Sequence, residues 1–289
     1  MKGITYVNGE YLPADEASVS IFDRGFLFAD GVYEVTTVVR GQLIDNEPHL
    51  KRLRRSLQEL ALPSPADDDA IVAIQQELIK LNALEEGVVY LQVTRGAADR
   101  DFRFPAKPSP TLVMFTQHRA VLKNSGSEQG IKVISMPDLR WRRRDIKTVG
   151  LLAASMAKQA AADAGADDAW LVEDGLVTEG SSNNAFIVDA QGQLRTRHLS
   201  NDILAGITRD AILTLSREQD IPIIEEPFTV TQAQAAKEAF VTSASTLVHP
   251  VVEIDGVQIG DGKPGPIARR LRELYVAFAL AQVTSSSRD

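Results

Sequence analysis

The chain has no cysteine. That absence removes disulfides, zinc-thiolate centres and thiol nucleophiles together, and leaves the redox compartment unmarked. The four histidines, His49, His118, His198 and His249, are scattered with no pair at ligand spacing, so no metal site is expected. No run approaches the roughly 18 uninterrupted apolar residues of a membrane span, and Met1-Lys2-Gly3-Ile4-Thr5 leads into no signal-type apolar core. A cytoplasmic protein is the expectation. Positive charge is also short: 31 Lys and Arg stand against 39 Asp and Glu, a net charge of -8 that argues against nucleic acid and anionic membranes as partners. Internal repeats and low-complexity tracts are missing as well.

What is there is an ordinary globular composition, 44% hydrophobic and 24% charged over 289 residues, enough for two cores. Asn8-Gly9, Asp174-Gly175 and Asp255-Gly256 sit between β-prone flanks and predict two-residue hairpins, since these residues accept positive φ angles. Val32 to Val39 reads as a strand turning at Arg40-Gly41, with Tyr33, Val35, Thr37 and Val39 on one face. Asn46-Glu47-Pro48 predicts a helix start with Asn46 as cap, followed by Leu50, Leu53, Leu57 and Leu60 at helical spacing. A second helix is expected from Ser64-Pro65 to about Asn82, and a strand over Gly87 to Thr94. Residues 95–105 are charged and aromatic, the composition of a binding loop. The polar, glycine-bearing stretch before Gly130 reads as a linker, giving an α+β domain at 1–120, a connection at 121–130 and a second domain at 131–289.

Arg140-Trp141-Arg142-Arg143-Arg144-Asp145-Ile146-Lys147 precedes an alanine-rich helix expected over Ala153 to Ala164. A basic run of this kind is ordinarily a solvated face or an anion patch. In an acidic protein it also makes a local cation pocket, and a lysine crowded by guanidinium groups has its ammonium form disfavoured, which favours the free amine that attacks carbonyls. Further on, Gly206-Ile207-Thr208 stands at the expected start of a helix, where free N–H groups and the helix dipole make an anion cup.

Taken together, Arg52 after His49, Asp145-Ile146-Lys147, Thr178-Glu179-Gly180-Ser181-Ser182-Asn183-Asn184, Gly206-Ile207-Thr208-Arg209 and Phe240-Val241-Thr242-Ser243-Ala244 resemble the class IV, fold-type IV aminotransferases that use pyridoxal phosphate. The order and spacing hold along nearly the whole chain. Asp30-Gly31-Val32-Tyr33-Glu34-Val35, with Gln92-Val93-Thr94-Arg95-Gly96 and Arg100, is most similar to the D-amino-acid transaminase branch of that family. The resemblance implies a two-domain α+β fold with the site between the domains, a homodimer, and amino acid and 2-oxo acid substrates. It implies that Lys147 forms the Schiff base with the cofactor and moves the substrate proton, and that Glu179 faces the pyridine nitrogen with Asn184 bracing its loop. Leu204 is implied to pack on the ring, and Arg52, Gly206, Ile207, Thr208 and Ser243 to hold the phosphate. Tyr33 and Arg100 are implied to grip the substrate carboxylate, with Phe102 and Ala244 lining its place.

Two positions depart from that pattern. Phe102 stands where the D-specific branch has a histidine, which removes one donor from the carboxylate grip and leaves room for other D-amino acids or (R)-amines. Gly150 stands where relatives often have asparagine. A branched-chain L-aminotransferase or an aminodeoxychorismate lyase is the alternative within the fold, and a non-catalytic anion-binding protein the alternative outside it.

Overall fold

The computed structural model describes residues 3–286 of the chain, with no cis peptide bond among them. Contacts divide it into two compact units: the first runs to Val121 and also takes Ile146–Gly150 and a stretch from Gln282, and the second comprises Leu122–Asp145 and Leu151–Ala281.

The first unit contains β1 (Ile4–Val7), β2 (Glu10–Pro13), α1 (Arg24–Phe28), β3 (Gly31–Val39), β4 (Gln42–Ile44), α2 (Asn46–Glu59), α3 (Asp68–Leu81), β5 (Glu86–Thr94) and β6 (Thr111–His118). Its six strands form one antiparallel sheet in the order β2-β1-β6-β5-β3-β4. The hairpins fall where the turn residues put them: Asn8 and Gly9, and Arg40 and Gly41, all have positive φ, so Val7 pairs Glu10 and Val39 pairs Gln42. Strict alternation along β3 sends Tyr33, Val35 and Thr37 to one face, and Val32, Glu34, Thr36 and Val38 to the other. Val32 packs with Leu50, Leu53 and Leu57 of α2, so the second face is the one under that helix.

Helix starts differ from the sequence expectation by a few residues. Asp45, in the left-handed region, precedes α2, and the Asn46 side chain bonds Thr36 and Gln75 instead of capping the helix. A tertiary partner outcompetes the local one. Likewise α3 begins at Asp68, capped by Asp67, rather than at Ser64-Pro65.

In the second unit lie α4 (Ser125–Gln129), β7 (Ile131–Pro137), α5 (Leu152–Asp163), β8 (Asp168–Glu173), β9 (Leu176–Gly180), β10 (Asn184–Val188) and β11 (Leu194–Thr196). They are followed by α6 (Ile207–Glu218), β12 (Ile223–Glu225), α7 (Val230–Gln234), β13 (Glu238–Ser243), β14 (Leu247–Ile254), β15 (Val257–Gln258) and α8 (Pro266–Ser286), whose residues from Gln282 onward count with the first unit. One mixed sheet runs β12-β11-β10-β13-β14-β7-β8-β9, with β15 on β14. Trp170, Phe228, Val177 and Val241 belong to a core on one side of it, and Ala157 and Ala161 of α5 pack on Ala169 and Leu171 of β8. Small alanines let that helix lie close to the strand. The stretch read as an aperiodic linker holds a short helix, α4, closed by a reciprocal capping box between Asn124 and Ser127.

Lys147 and its neighbours, expected within the downstream domain, are in the first unit. The reason is an open strand edge: β4 covers β3 only from Thr37 to Val39, and the exposed edge at Gly31 to Tyr33 is taken by residues 147–149. Ile146, 3% exposed, is buried in the α2 core beside this connection.

Leu53 is 2% exposed at the centre of that core, so Leu53→Ala is expected to destabilise the protein by about 2–5 kcal/mol, read as a lower denaturation midpoint in urea with little change in slope.

Candidate active site

In the first unit the residues collect around β3. Tyr33 N–H donates to the Lys147 carbonyl at 3.0 Å and Val149 N–H to the Gly31 carbonyl at 3.1 Å. These bonds hold the Lys147 backbone as a short added strand. Its Nζ lies 4.1 Å from the centre of the Tyr33 ring, which stacks on Tyr90, itself stacked on Phe115. The amine is therefore set against an aromatic face, half-buried.

Arg140 bonds Asp138 and Glu179, Arg143 bonds Asp145, and Arg144 bonds Glu173, so each of these guanidiniums answers a carboxylate. All three belong to the second unit, whereas Lys147 belongs to the first.

On the other face of β3 lies a buried cluster that sequence reasoning saw only in part. Arg52 donates from Nε and Nη2 to the two oxygens of Glu34, both at 2.8 Å, and His49 Nδ1 lies 2.8 Å from Glu34 Oε2. The helical spacing of His49 and Arg52 turns both toward Glu34. Burial pushes Glu34 upward, but the Arg52 guanidinium and the His49 bond outweigh it and hold the carboxyl down to about 2. Burial lowers His49 below the usual imidazole range, so its ring is neutral. The signal for Glu34 was present in the alternation, which puts an acid on the buried strand face with Val32, Thr36 and Val38.

In the second unit the focus is Glu179, 3% exposed near the end of β9. Arg140 Nη1 donates to its Oε1 at 2.6 Å, while Asn184 Nδ2 at 2.9 Å and Leu204 N–H at 3.1 Å donate to Oε2. Asn184 Nδ2 also donates to the Leu204 carbonyl at 3.0 Å, so this one amide joins β10 to the loop ahead of α6. Gly206 is required there: a Cβ would stand 2.0 Å from Asn184 Oδ1. Immediately after it α6 begins with no side-chain cap, leaving the first-turn N–H groups of Ile207 and Thr208 without an acceptor inside the helix. Ser243 closes β13 with its hydroxyl 2.7 Å from that of Thr246, and Ala244 follows in the turn. Thr242, paired with Asn184 across β10 and β13, has a buried hydroxyl with no partner.

Arg100 and Phe102 are not drawn to Tyr33 by any hydrogen bond or ring contact among the described residues. They lie on an exposed loop, Phe102 79% exposed, and gather with Phe28. The base of that loop is firm. Asp30 accepts from Arg24 and Arg95, Arg24 reaches the Asp101 carbonyl, and Arg95 lies 3.7 Å from the centre of the Phe104 ring.

The donor set of the second unit fits a cationic ring nitrogen joined to a phosphate. A carboxylate accepts about four hydrogen bonds, Glu179 receives three from the described residues, and burial raises it against the pull of Arg140, so a further cation there is favoured. Uncapped helix N–H groups and a buried unpartnered hydroxyl are what an oxyanion takes up.

Fold and donor set together define an aminotransferase of the pyridoxal-phosphate type, and residues 31–254 match the family model for amino-transferase class IV; the chain belongs to that family. It is 38% identical to the D-alanine aminotransferase of Staphylococcus haemolyticus over 93% of this chain and 95% of that one, and 37% identical to the D-alanine aminotransferase of Bacillus licheniformis over 92% and 93%. Among solved structures, Escherichia coli branched-chain amino acid aminotransferase superposes with a TM-score of 0.89 at 23% identity, covering 96% of this chain and 95% of that one. A second branched-chain amino acid aminotransferase, from T.th. and solved with pyridoxamine 5'-phosphate, gives 0.87 at 26%, covering 96% and 93%.

A carboxyl held low in the folded state contributes stability above its unfolded pKa, about 4.3, that is lost as pH falls toward its folded value. Urea midpoints measured between about pH 4.5 and 2 are therefore expected to fall more steeply for the native protein than for Glu34→Gln. Parallel curves would remove the Arg52–Glu34 pair from the acid response.

Proposed function

We propose that the protein transfers the amino group of a D-amino acid of the alanine or glutamate type to a 2-oxo acid, in two ping-pong half-reactions, with Lys147 as the catalytic amine. The observation that carries this reading is the pinning of Lys147 on the β3 edge beside Tyr33 in a chain 38% identical to a D-alanine aminotransferase. Pyridoxal phosphate, when bound, supplies an aldehyde that condenses with amines and a ring that accepts the electron pair left when the substrate α-proton is removed.

The chain's own residues do the rest. Lys147 Nζ would hold the cofactor through its aldehyde, and as a free amine it would take the substrate α-proton and return it. Its fixed main chain leaves only the side chain to move. Glu179, braced by Asn184 and the Leu204 N–H, supports positive charge on the ring nitrogen. Arg52, turned by Glu34, the amides of Gly206 to Thr208, and Ser243 would hold the phosphate, and Leu204 would lie against the ring. Tyr33 and Arg100 take the substrate carboxylate, with Phe102 and Ala244 beside it.

Phe102, apolar and set against Phe28, favours donors with apolar side chains or (R)-amines over D-glutamate. We also propose a homodimer, supported by the exposed Phe22, Phe26 and Phe102 of the first unit; light scattering on the active enzyme is expected to give twice the chain mass.

With D-alanine and 2-oxoglutarate the purified protein is expected to release pyruvate, and with L-leucine no 2-oxo acid. Lys147→Ala should abolish turnover, and borohydride treatment of the native holoenzyme should leave the cofactor's mass on Lys147 in a peptide map. Pyruvate from L-alanine alone, or a label elsewhere, would overturn the assignment. Phe102→His restores a donor worth about 0.5–1.5 kcal/mol, so KM for D-alanine is expected to fall by roughly 2- to 10-fold with kcat little changed. An unchanged KM would place position 102 away from the substrate carboxylate.

A further inference from the structure

Arg140 is one guanidinium divided between two buried acids. Its Nε and Nη2 donate to Asp138 at 3.0 and 2.7 Å, and its Nη1 donates to Glu179 at 2.6 Å. Asp138 is fixed in turn by the Thr178 hydroxyl at 2.7 Å and approached by Arg144 Nε at 3.4 Å, and Arg144 Nη1 goes on to Glu173. Exposed Arg142 acts on Glu173 from the solvent side. Glu179 is the buried acid of this chain that holds only one of the arginine's bonds; its other donors, Asn184 Nδ2 and Leu204 N–H, are neutral.

We propose that Arg140 is a positioning residue that keeps the proton on the cofactor's ring nitrogen, by fixing Glu179 as a carboxylate whose Oε1 is already shared. This rests on pyridoxal phosphate binding with its ring nitrogen at Glu179. A proton between a buried carboxylate and a pyridine nitrogen goes to whichever partner holds it more strongly, and a guanidinium on the carboxylate weakens that partner's claim. Burial already raises Glu179 with the guanidinium in place, and Arg140 is the cation that opposes it; with Arg140 removed Glu179 claims the proton more strongly and the ring is left neutral, a poorer sink for the substrate's electron pair. The Asp138 fork is what makes the arrangement firm, since it locks the guanidinium plane with Nη1 aimed at Glu179. Lysine offers the charge without the fork.

The test uses holoenzyme reconstituted with pyridoxal phosphate carrying 15N in the ring, compared for the native chain, Arg140→Gln, Arg140→Lys and, as the neutral-ring reference, Glu179→Gln. The native resonance is expected at the pyridinium position, that of Arg140→Gln displaced toward the Glu179→Gln reference, and that of Arg140→Lys between them. In steady state, Arg140→Gln is expected to lose about 10- to 100-fold in kcat while KM for the amino donor changes less than about twofold. A ring resonance that stays at the native position in both Arg140 variants would overturn the proposal. So would a neutral ring in the native holoenzyme. Failure of the native chain to bind the cofactor at all would instead overturn the functional reading on which it rests, and equilibrium dialysis of the native chain separates the two.

Discussion

Strand β3 is paired by β4 only over its last three residues, and the chain closes the remaining edge with its own residues 147–149. That pairing decides where the lysine goes. An unpaired strand edge inside a folded unit leaves amide and carbonyl groups unsatisfied, which costs more than the short excursion needed to cover them. Lys147 is therefore not on a free loop. With its carbonyl bonded to the Tyr33 amide and Ile146 buried in the α2 core, its backbone cannot drift, and the side chain alone remains adjustable. That combination of a fixed root and a mobile tip suits the catalytic role proposed for this amine.

The same strand serves two purposes because its faces alternate. Tyr33 presents a ring to Lys147 on one side, while Glu34 on the other locks the Arg52 guanidinium and the His49 ring beneath α2. Ion pairs buried this deeply give little net stability, since desolvation offsets most of the attraction. Their value here is orientation: a guanidinium held by two bonds to one carboxylate presents its remaining edge in one direction only. In the second unit Asn184 does similar work on a smaller scale, joining Glu179, Leu204 and the approach to α6, and it needs a glycine at 206 to come so close.

Much of this was legible in the sequence where the signal is local. The Asn8-Gly9, Arg40-Gly41, Asp174-Gly175 and Asp255-Gly256 turns all adopt the positive φ angles their residues permit, and the leucine stripe of α2 is the core it implied. The lysine and the Glu179 segment were found as motifs. What escaped was set by partners distant in the chain. Nothing near Asn46 announces Thr36 and Gln75, and nothing in Arg140 to Arg144 announces Asp138, Glu179 and Glu173. A run of like charge read alone implies repulsion; its meaning reverses once Arg140, Arg143 and Arg144 each have an acid, and that is a tertiary fact. The membership of Ile146–Gly150 in the first unit was not legible for a similar reason, because it is fixed by a strand edge more than a hundred residues upstream.

The departure at Phe102 has a structural context that bears on specificity. The loop carrying Arg100 and Phe102 is not loosely attached: Asp30 receives Arg24 and Arg95, Arg24 holds the Asp101 carbonyl, and Phe104 covers Arg95. Two buried guanidiniums sharing one carboxylate make a rigid base, so the side chains beyond it are presented in a defined place even though they are exposed. In that place a phenylalanine offers surface and no donor. What one side chain there can no longer donate is thus fixed by the loop's base rather than by chance of its exposure.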